Sequence, residues 1–414
     1  MNSTQRLHRH APLPAVSRRG LIKGAAALAL APLASRLRAQ QGGTVWAYIG
    51  AYTPNGEGIH MFTVNQSDGS LEPVKIFTGL PSPSSIAFDP GYKFLFAVNE
   101  ISNYVGSFPT GKPDGSVTSF TVNRSTGDLK MVNVVSSRGA GPAHISVDPS
   151  GKYVLVSNYG GGTISVIPFD TGTGMLGMAT DVETLTGPLG PLHPVDAPPG
   201  SFAISGHDAH HAHMAATDPS GKWLIGCDLG GDMVYVWQFD LASGRLTPAN
   251  PPSVAVSAGA GPRHFAFHPN GRWCYIICEE ASIMVFMTFD PATGVLQPQQ
   301  NLSTLPSSFA GTNFTSEVAF SADGNYLYGA NRLHDTIAVF SVDGTGSLKL
   351  IGETPTGGDY PRSFGIEPSG NYMYVLNQRS DNIGILKIDR TTGLLTQTGM
   401  YAAVGSPSSI AFLS

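Results

Sequence analysis

The chain has 414 residues, of which 41% are hydrophobic and 13% charged, with 50 glycines and 31 prolines. That balance argues against long helices and coiled coils and for many short strands joined by turns. The net charge is −5 and no run of Lys and Arg recurs after the N-terminal segment, so the usual footprints of nucleic-acid and anionic-membrane binding are absent from the body and small neutral or anionic ligands remain open.

Residues 1–40 read as an address rather than as fold. Ser17-Arg18-Arg19-Gly20-Leu21-Ile22-Lys23 precedes an Ala-rich apolar run from Gly24 to Ala34, with a plausible cleavage point after Ala39. Adjacent arginines ahead of a mildly hydrophobic stretch resemble a twin-arginine export signal, which predicts export as a folded body through the twin-arginine translocation machinery to the periplasm or beyond. The apolar run is too short to serve as a stable membrane anchor. Cys227, Cys274 and Cys278 are odd in number, so no disulfide framework is expected, and the even spacing of the last two in one apparent strand suggests buried thiols.

Past that segment come VWAYIGAY from Val45, GIHMFTVN from Gly58 and SLEPVKIF from Ser70, three strand-like runs. A repeat follows: an apolar triplet, Asp-Pro or a relative, a Gly turn, an aromatic and apolar run, then Asn or Asp. Its copies are IAFDPGYKFLFAVNE from Ile86, ISVDPSGKYVLVSNY from Ile145, AATDPSGKWLIGCDL from Ala215, FAFHPNGRWCYIICE from Phe265, VAFSADGNYLYGANR from Val318 and FGIEPSGNYMYVLNQ from Phe364. Each is a β-hairpin, and most are followed by a second pair of runs, such as TISVIPFD then TGTGML or DTIAVFSVD then GSLKLIGE. Four strands per repeat at a period of roughly 50 residues is the mark of propeller blades.

The seventh copy is divided between the ends. Ser82-Pro83-Ser84-Ser85-Ile86-Ala87-Phe88 recurs letter for letter as Ser406-Pro407-Ser408-Ser409-Ile410-Ala411-Phe412, after which the chain stops. The predicted fold is therefore an all-β, seven-bladed β-propeller over residues 44–414, its last blade closed by the N-terminal strands and the C-terminal strand. Gly/Pro-rich insertions at Ser102 to Val117 and Thr180 to His210 are expected to overhang one mouth of the channel.

In a hairpin, the start of the first strand and the end of the second lie together, so those positions converge around one mouth of the channel. Just before the first strand one column collects Ala143, His213, Arg263, Ser316 and Arg362, and the next place collects His144, His264 and Glu317. Just after the second strand come Asn99, Asn158, Asp228, Asn331 and Asn377, then Glu100, Tyr159, Glu279, Arg332 and Gln378. The repeated Asn/Asp column reads mainly as turn closure, although Asn158 is kept with Glu100 among the candidate ligand contacts. The varying charged column is harder to explain by folding, since charges at a narrowing mouth are costly unless they bind something.

His213 belongs to HDAHHAHMA, where four histidines fall within seven residues. Zinc or copper could be held by such a cluster, but no Cys, Asp or Glu stands at an obvious partner spacing, so neither a metal nor a cofactor is expected. His207 and His210 read as surface residues. Neither a phosphate-binding loop nor a nucleophile elbow appears, and Gly160-Gly161-Gly162 reads as a tight turn between strands.

The runs HAHMAATDPSGKWLIGCDLG, GAGPRHFAFHPNGRWCYIICEEAS, GANRLHDTIAVFSVD and YPRSFGIEPSGNYMYVLNQRSDNI resemble, in order and spacing, the propeller lactonase family, which holds propeller-type bacterial 6-phosphogluconolactonases and fungal carboxy-muconate cyclases. The resemblance implies a pocket lined by His213, Arg263, Glu279 and Arg332 as the catalytic set, with Arg362, His144 and His264 nearby. It departs from the family at Ser316-Glu317-Val318, where relatives commonly show a His and an apolar residue. Arginines can grip a carboxylate or phosphate and polarise an ester, while Glu279 or His213 activates water. The expectation is a monomeric hydrolase opening a sugar-acid or related lactone. A non-catalytic binding propeller and a muconate-type cycloisomerase are the alternatives.

Overall fold

The computed structural model describes residues 43–202 and 206–414. These residues form seven four-stranded antiparallel sheets. Blades 1 to 6 each take four strands that are consecutive in sequence, over residues 85–136, 142–184, 212–255, 262–303, 315–355 and 361–403. Blade 7 is composite: Pro407–Leu413 pairs with Val45–Ala51, followed outward by Gly58–Val64 and Leu71–Thr78. The first strands of successive blades pack against one another in a closed ring around the channel. The propeller and its divided blade are as the repeat predicts.

The second strand of each blade is buried along all of its length, as FLFAVN at Phe94–Asn99 and YMYVLN at Tyr372–Asn377 are, or along all but one residue. Both of its faces meet neighbouring blades, which is why these runs are continuously apolar rather than alternating. Seven hydrophobic clusters result, one between each pair of adjacent blades. All three cysteines are free thiols buried between blades 3 and 4, as their spacing suggested. The Asp of the repeat closes the hairpin: Asp89 accepts from the backbone N–H groups of Gly91 (2.9 Å), Lys93 (2.6 Å) and Phe94 (2.6 Å). Asp148, Asp218 and Glu367 do the same in their blades. The fourth place of that turn needs positive φ, as at Gly151 (67°) and Gly370 (75°), and Tyr92 adopts it (54°) in the copy that lacks glycine there.

Two readings need correction in blade 2. TGTGML is not its outer strand, since it meets the preceding strand only through the bridge Phe169↔Leu176 around a Gly-rich turn. Asp181–Thr184, placed by sequence inside the second insertion, pairs instead with Thr163–Pro168 as the fourth strand. The insertion proper covers residues 185–211. The first insertion likewise ends earlier than expected, because Ser116–Val122 is the third strand of blade 1.

Candidate active site

The strand geometry explains the columns. At the start of the innermost strand the ladder slips between Pro142 and His144, Ala212 and Met214, Pro262 and His264, and Pro361 and Ser363. Thr315 to Val318 slips similarly in blade 5. Each slip is a β-bulge that leaves Ala143, His213, Arg263, Ser316 or Arg362 outside the ladder, and a bulge re-aims the side chain it frees. One backbone irregularity, repeated around the ring, supplies the first column. Arg263 and Arg362 then line a channel cavity of about 140 Å³ together with His144, His264 and Glu317.

Three charged groups of the predicted catalytic set meet directly. Glu279 Oε2 lies 3.0 Å from Arg263 Nε and 2.6 Å from Arg332 Nη2, with all three side chains nearly excluded from solvent. Burial pushes the Glu279 carboxyl up, but Arg332 and Arg263 outweigh it and hold the group below the ordinary carboxylate range. Backbone carbonyls fix both guanidiniums: Arg263 Nη1 donates to Ser316 O at 2.5 Å, and Arg332 Nη2 to Thr315 O at 2.9 Å.

His213, His264 and His144 stand in file, with edge-to-face ring separations of 5.0 and 5.3 Å. His264 Nε2 accepts from Arg263 Nη1 at 3.3 Å, and its Nδ1–H donates to Glu317 Oε1 at 2.9 Å, an arrangement that requires the neutral Nδ1–H tautomer. Glu317 also accepts from Ser363 Oγ at 3.0 Å and, despite its burial, is held down to about 2 by His264 and Arg263. His213 is 4% exposed, and its Nδ1 has no hydrogen-bond partner among the described residues. Burial and the nearby Arg263 push its pKa well below the usual histidine value, so the ring is neutral. Burial likewise holds His144 down to about 3.

Arg362 differs from the other two arginines. Its guanidinium lies 5.1 Å over the Tyr52 ring, and among the described residues no carboxylate lies within ion-pair distance of it. Tyr52, which lines the cavity, donates to Glu100 Oε2 at 2.6 Å. Tyr52 itself escaped the sequence reading, although it follows Ala51 as Glu100 follows Asn99; the seventh copy has Ala where five of the others carry Asn or Asp and blade 4 carries Cys278. Asn158 is buried in blade 2, its amide nitrogen donating to Ser137 O (3.0 Å), Thr163 Oγ1 (3.1 Å) and Ser165 Oγ (3.2 Å), as its turn-closing column implies.

The His-rich segment is a set of pegs. His207, expected at the surface, is buried, with Nε2 3.0 Å from Asp232 Oδ1 and Nδ1 2.8 Å from Glu280 Oε2. His210 Nδ1 lies 2.7 Å from Asp228 Oδ2, and His211 stacks on Tyr159 at 4.1 Å. Only His213, at the bulge, is turned over to the channel group.

A closed seven-bladed propeller, with arginines, a carboxylate and neutral imidazoles converging at one channel mouth, is built to bind and polarise a small oxygen-rich molecule. Residues 46–412 match the family described as lactonase, 7-bladed beta-propeller, and the chain belongs to that family. It is similar to a 6-phosphogluconolactonase of Bacillus subtilis, 29% identical over 368 residues, covering 88% of this chain and 97% of that protein. A 6-phosphogluconolactonase of Formosa agariphila is 30% identical over 329 residues, with 78% and 86% covered. Among solved structures, the periplasmic gluconolactonase PpgL of Pseudomonas aeruginosa superposes with a TM-score of 0.79 at 28% identity, covering 90% of this chain and 99% of that one.

Proposed function

We propose that this protein is an exported lactone hydrolase acting on an unphosphorylated sugar-acid or related lactone. The observation that carries the reading is Glu279 bridging Arg263 and Arg332 beside a neutral His213 whose Nδ1 is unpartnered. The paired guanidiniums receive the lactone carbonyl oxygen and stabilise the oxyanion of the tetrahedral intermediate. His213 takes a proton from the attacking water and returns it to the ring oxygen as the acyl–oxygen bond breaks. Glu279 acts by orienting and neutralising the two arginines; a carboxylate held ionised by two cations is a poor base. His213 is depressed by those same cations, so its basicity rises as the oxyanion develops and offsets their charge.

Charge balance favours an unphosphorylated substrate. Three guanidiniums, Arg263, Arg332 and Arg362, face two ionised carboxylates, Glu279 and Glu317, which leaves one uncompensated cation in the site. One such cation suits a neutral ester or a monoanion better than a phosphate dianion. Export fits the same choice: Arg18-Arg19 ahead of the apolar run supports residues 1–40 as a twin-arginine signal, with residues 44–414 as a monomeric propeller delivered to the periplasm or outside. PpgL, the structural relative, is described as periplasmic. Arg18→Lys with Arg19→Lys should keep the protein in the cytoplasmic fraction.

The deciding assay is hydrolysis of D-glucono-1,5-lactone by the mature protein against the buffer rate. Glu279→Gln should lower kcat by about 10²-fold or more, because both oxyanion donors lose their alignment. No turnover across a panel of aldonolactones and simple lactones would overturn the reading, and retained ligand binding without turnover would point to a binding propeller.

A further inference from the structure

The duplicated segment that closes the propeller also builds one wall of the cavity. Its two copies lie in adjacent blades 1 and 7, so Ser84 and Ser85 line the cavity beside Ser408 and Ser409. Ser408 Oγ ties the two blades together through Gly50 O (3.0 Å) and Ser84 O (2.9 Å). Ser84 is only 5% exposed, yet among the described residues its Oγ has no partner, nor does Ser409 Oγ. His144 Nδ1, next round the ring in blade 2, is also unpartnered. The arginines and carboxylates of blades 4 and 5 stand across the channel from this wall.

Buried hydroxyls and imidazole nitrogens are rarely left without partners, and three such groups around one cavity mark a place where hydrogen bonds are completed from outside the chain. A cavity of about 140 Å³ takes some four or five waters at about 30 Å³ each. A polyhydroxylated ring displaces those waters with hydroxyls of its own, whereas a ring of bare methylenes strands the groups they served.

We infer that Ser84, Ser409 and His144 form a hydroxyl-recognition wall that selects polyhydroxylated lactones over unsubstituted ones. The inference rests on the hydrolase reading for the role of the opposite, ionic wall, but its test does not require turnover. Lactams carry the same ring with an amide that resists hydrolysis. Calorimetry should show the mature protein binding D-glucono-δ-lactam at least tenfold more tightly than δ-valerolactam. Ser84→Ala with Ser409→Ala should weaken the polyhydroxylated lactam by about fivefold or more, the order expected for lost hydrogen bonds, and leave δ-valerolactam within twofold. Equal affinity of the wild-type protein for the two lactams, or a double variant that weakens both alike or neither, overturns the wall. Hydrolysis of D-glucono-1,5-lactone on the same samples separates the two ideas. Lactam discrimination without turnover removes only the hydrolase, and turnover without discrimination removes only the wall.

Discussion

His213 sits where two effects act in the same direction. Burial removes the water that would solvate an imidazolium, and Arg263 and the other guanidiniums repel its charge. A free histidine is half protonated near pH 6.5. The acid limb of kcat/KM should therefore fall below that pH, with activity flat from pH 7 down past 6. Glu279 and Glu317 are both held below the ordinary carboxylate range, so the ionic frame stays intact over that window. A pH–rate profile with its acid limb at or above 6.5 would remove His213 as the base. Glu279→Gln carries a second expectation, a loss of about 3 kcal/mol in unfolding free energy, because breaking a buried ion pair strands its partners; urea titration measures it. The paired arginines and Glu279 were legible as residue types in equivalent places that refused to repeat. Which group shields which was not, since Glu279 facing two cations and His213 facing none of the carboxylates depends on side-chain direction.

The bulge is the element that turns a strand start into a site. Sequence placed Ala143, His213, Arg263, Ser316 and Arg362 in one column without giving the reason, because a bulge is a register event between two strands and leaves no residue signature of its own. The insertion over residues 185–211 was legible only as turn-rich. Its anchor, His207 between Asp232 and Glu280, joins three segments far apart in sequence and secures the turn that carries Glu279. Asp232 also accepts from Gly259 N (2.6 Å) and Gly261 N (2.9 Å), just ahead of Arg263. Burial alone would lower the His207 pKa, but Asp232 and Glu280 reverse this and raise it to about 9. A raised folded-state pKa stabilises fully below the unfolded value near 6.5, and that stability is lost as pH rises through 9. The unfolding free energy from urea titration should accordingly fall between pH 6.5 and 9.5, by up to about 3 kcal/mol. His207→Gln should be destabilised at pH 6.5 and should lack that slope; an equal slope in both proteins would assign it elsewhere.

At the scale of the whole ring, closure was the most legible feature, because the copy of Ser82–Phe88 at Ser406–Phe412 states which strand completes which blade. The outer strand of blade 2 was the least legible: DVET has little hydrophobic alternation, and its place is set by pairing with Thr163–Pro168. The closing strand sets a sharp expectation. Pro407–Leu413 is paired residue by residue with Val45–Ala51, and Ile410, Phe412 and Leu413 fill the clusters on either side of blade 7. Each large apolar side chain lost from a packed core costs about 2–5 kcal/mol, so removing three approaches the 5–15 kcal/mol that holds a typical domain together. It also bares the edge of Val45–Ala51, a template for aggregation. Truncation after Gly405 should therefore give insoluble or unfolded protein. A circular permutant should not: Trp46 pairs with Leu413, so a short linker can join Ser414 to Gly43, with new ends opened at the exposed turn around Gly344 in blade 5. Every ladder survives in that permutant, and its melting temperature should stay within a few degrees of the parent. A folded truncation, or a permutant that collapses with it, would mean that the ring does not depend on the pairing of its two ends.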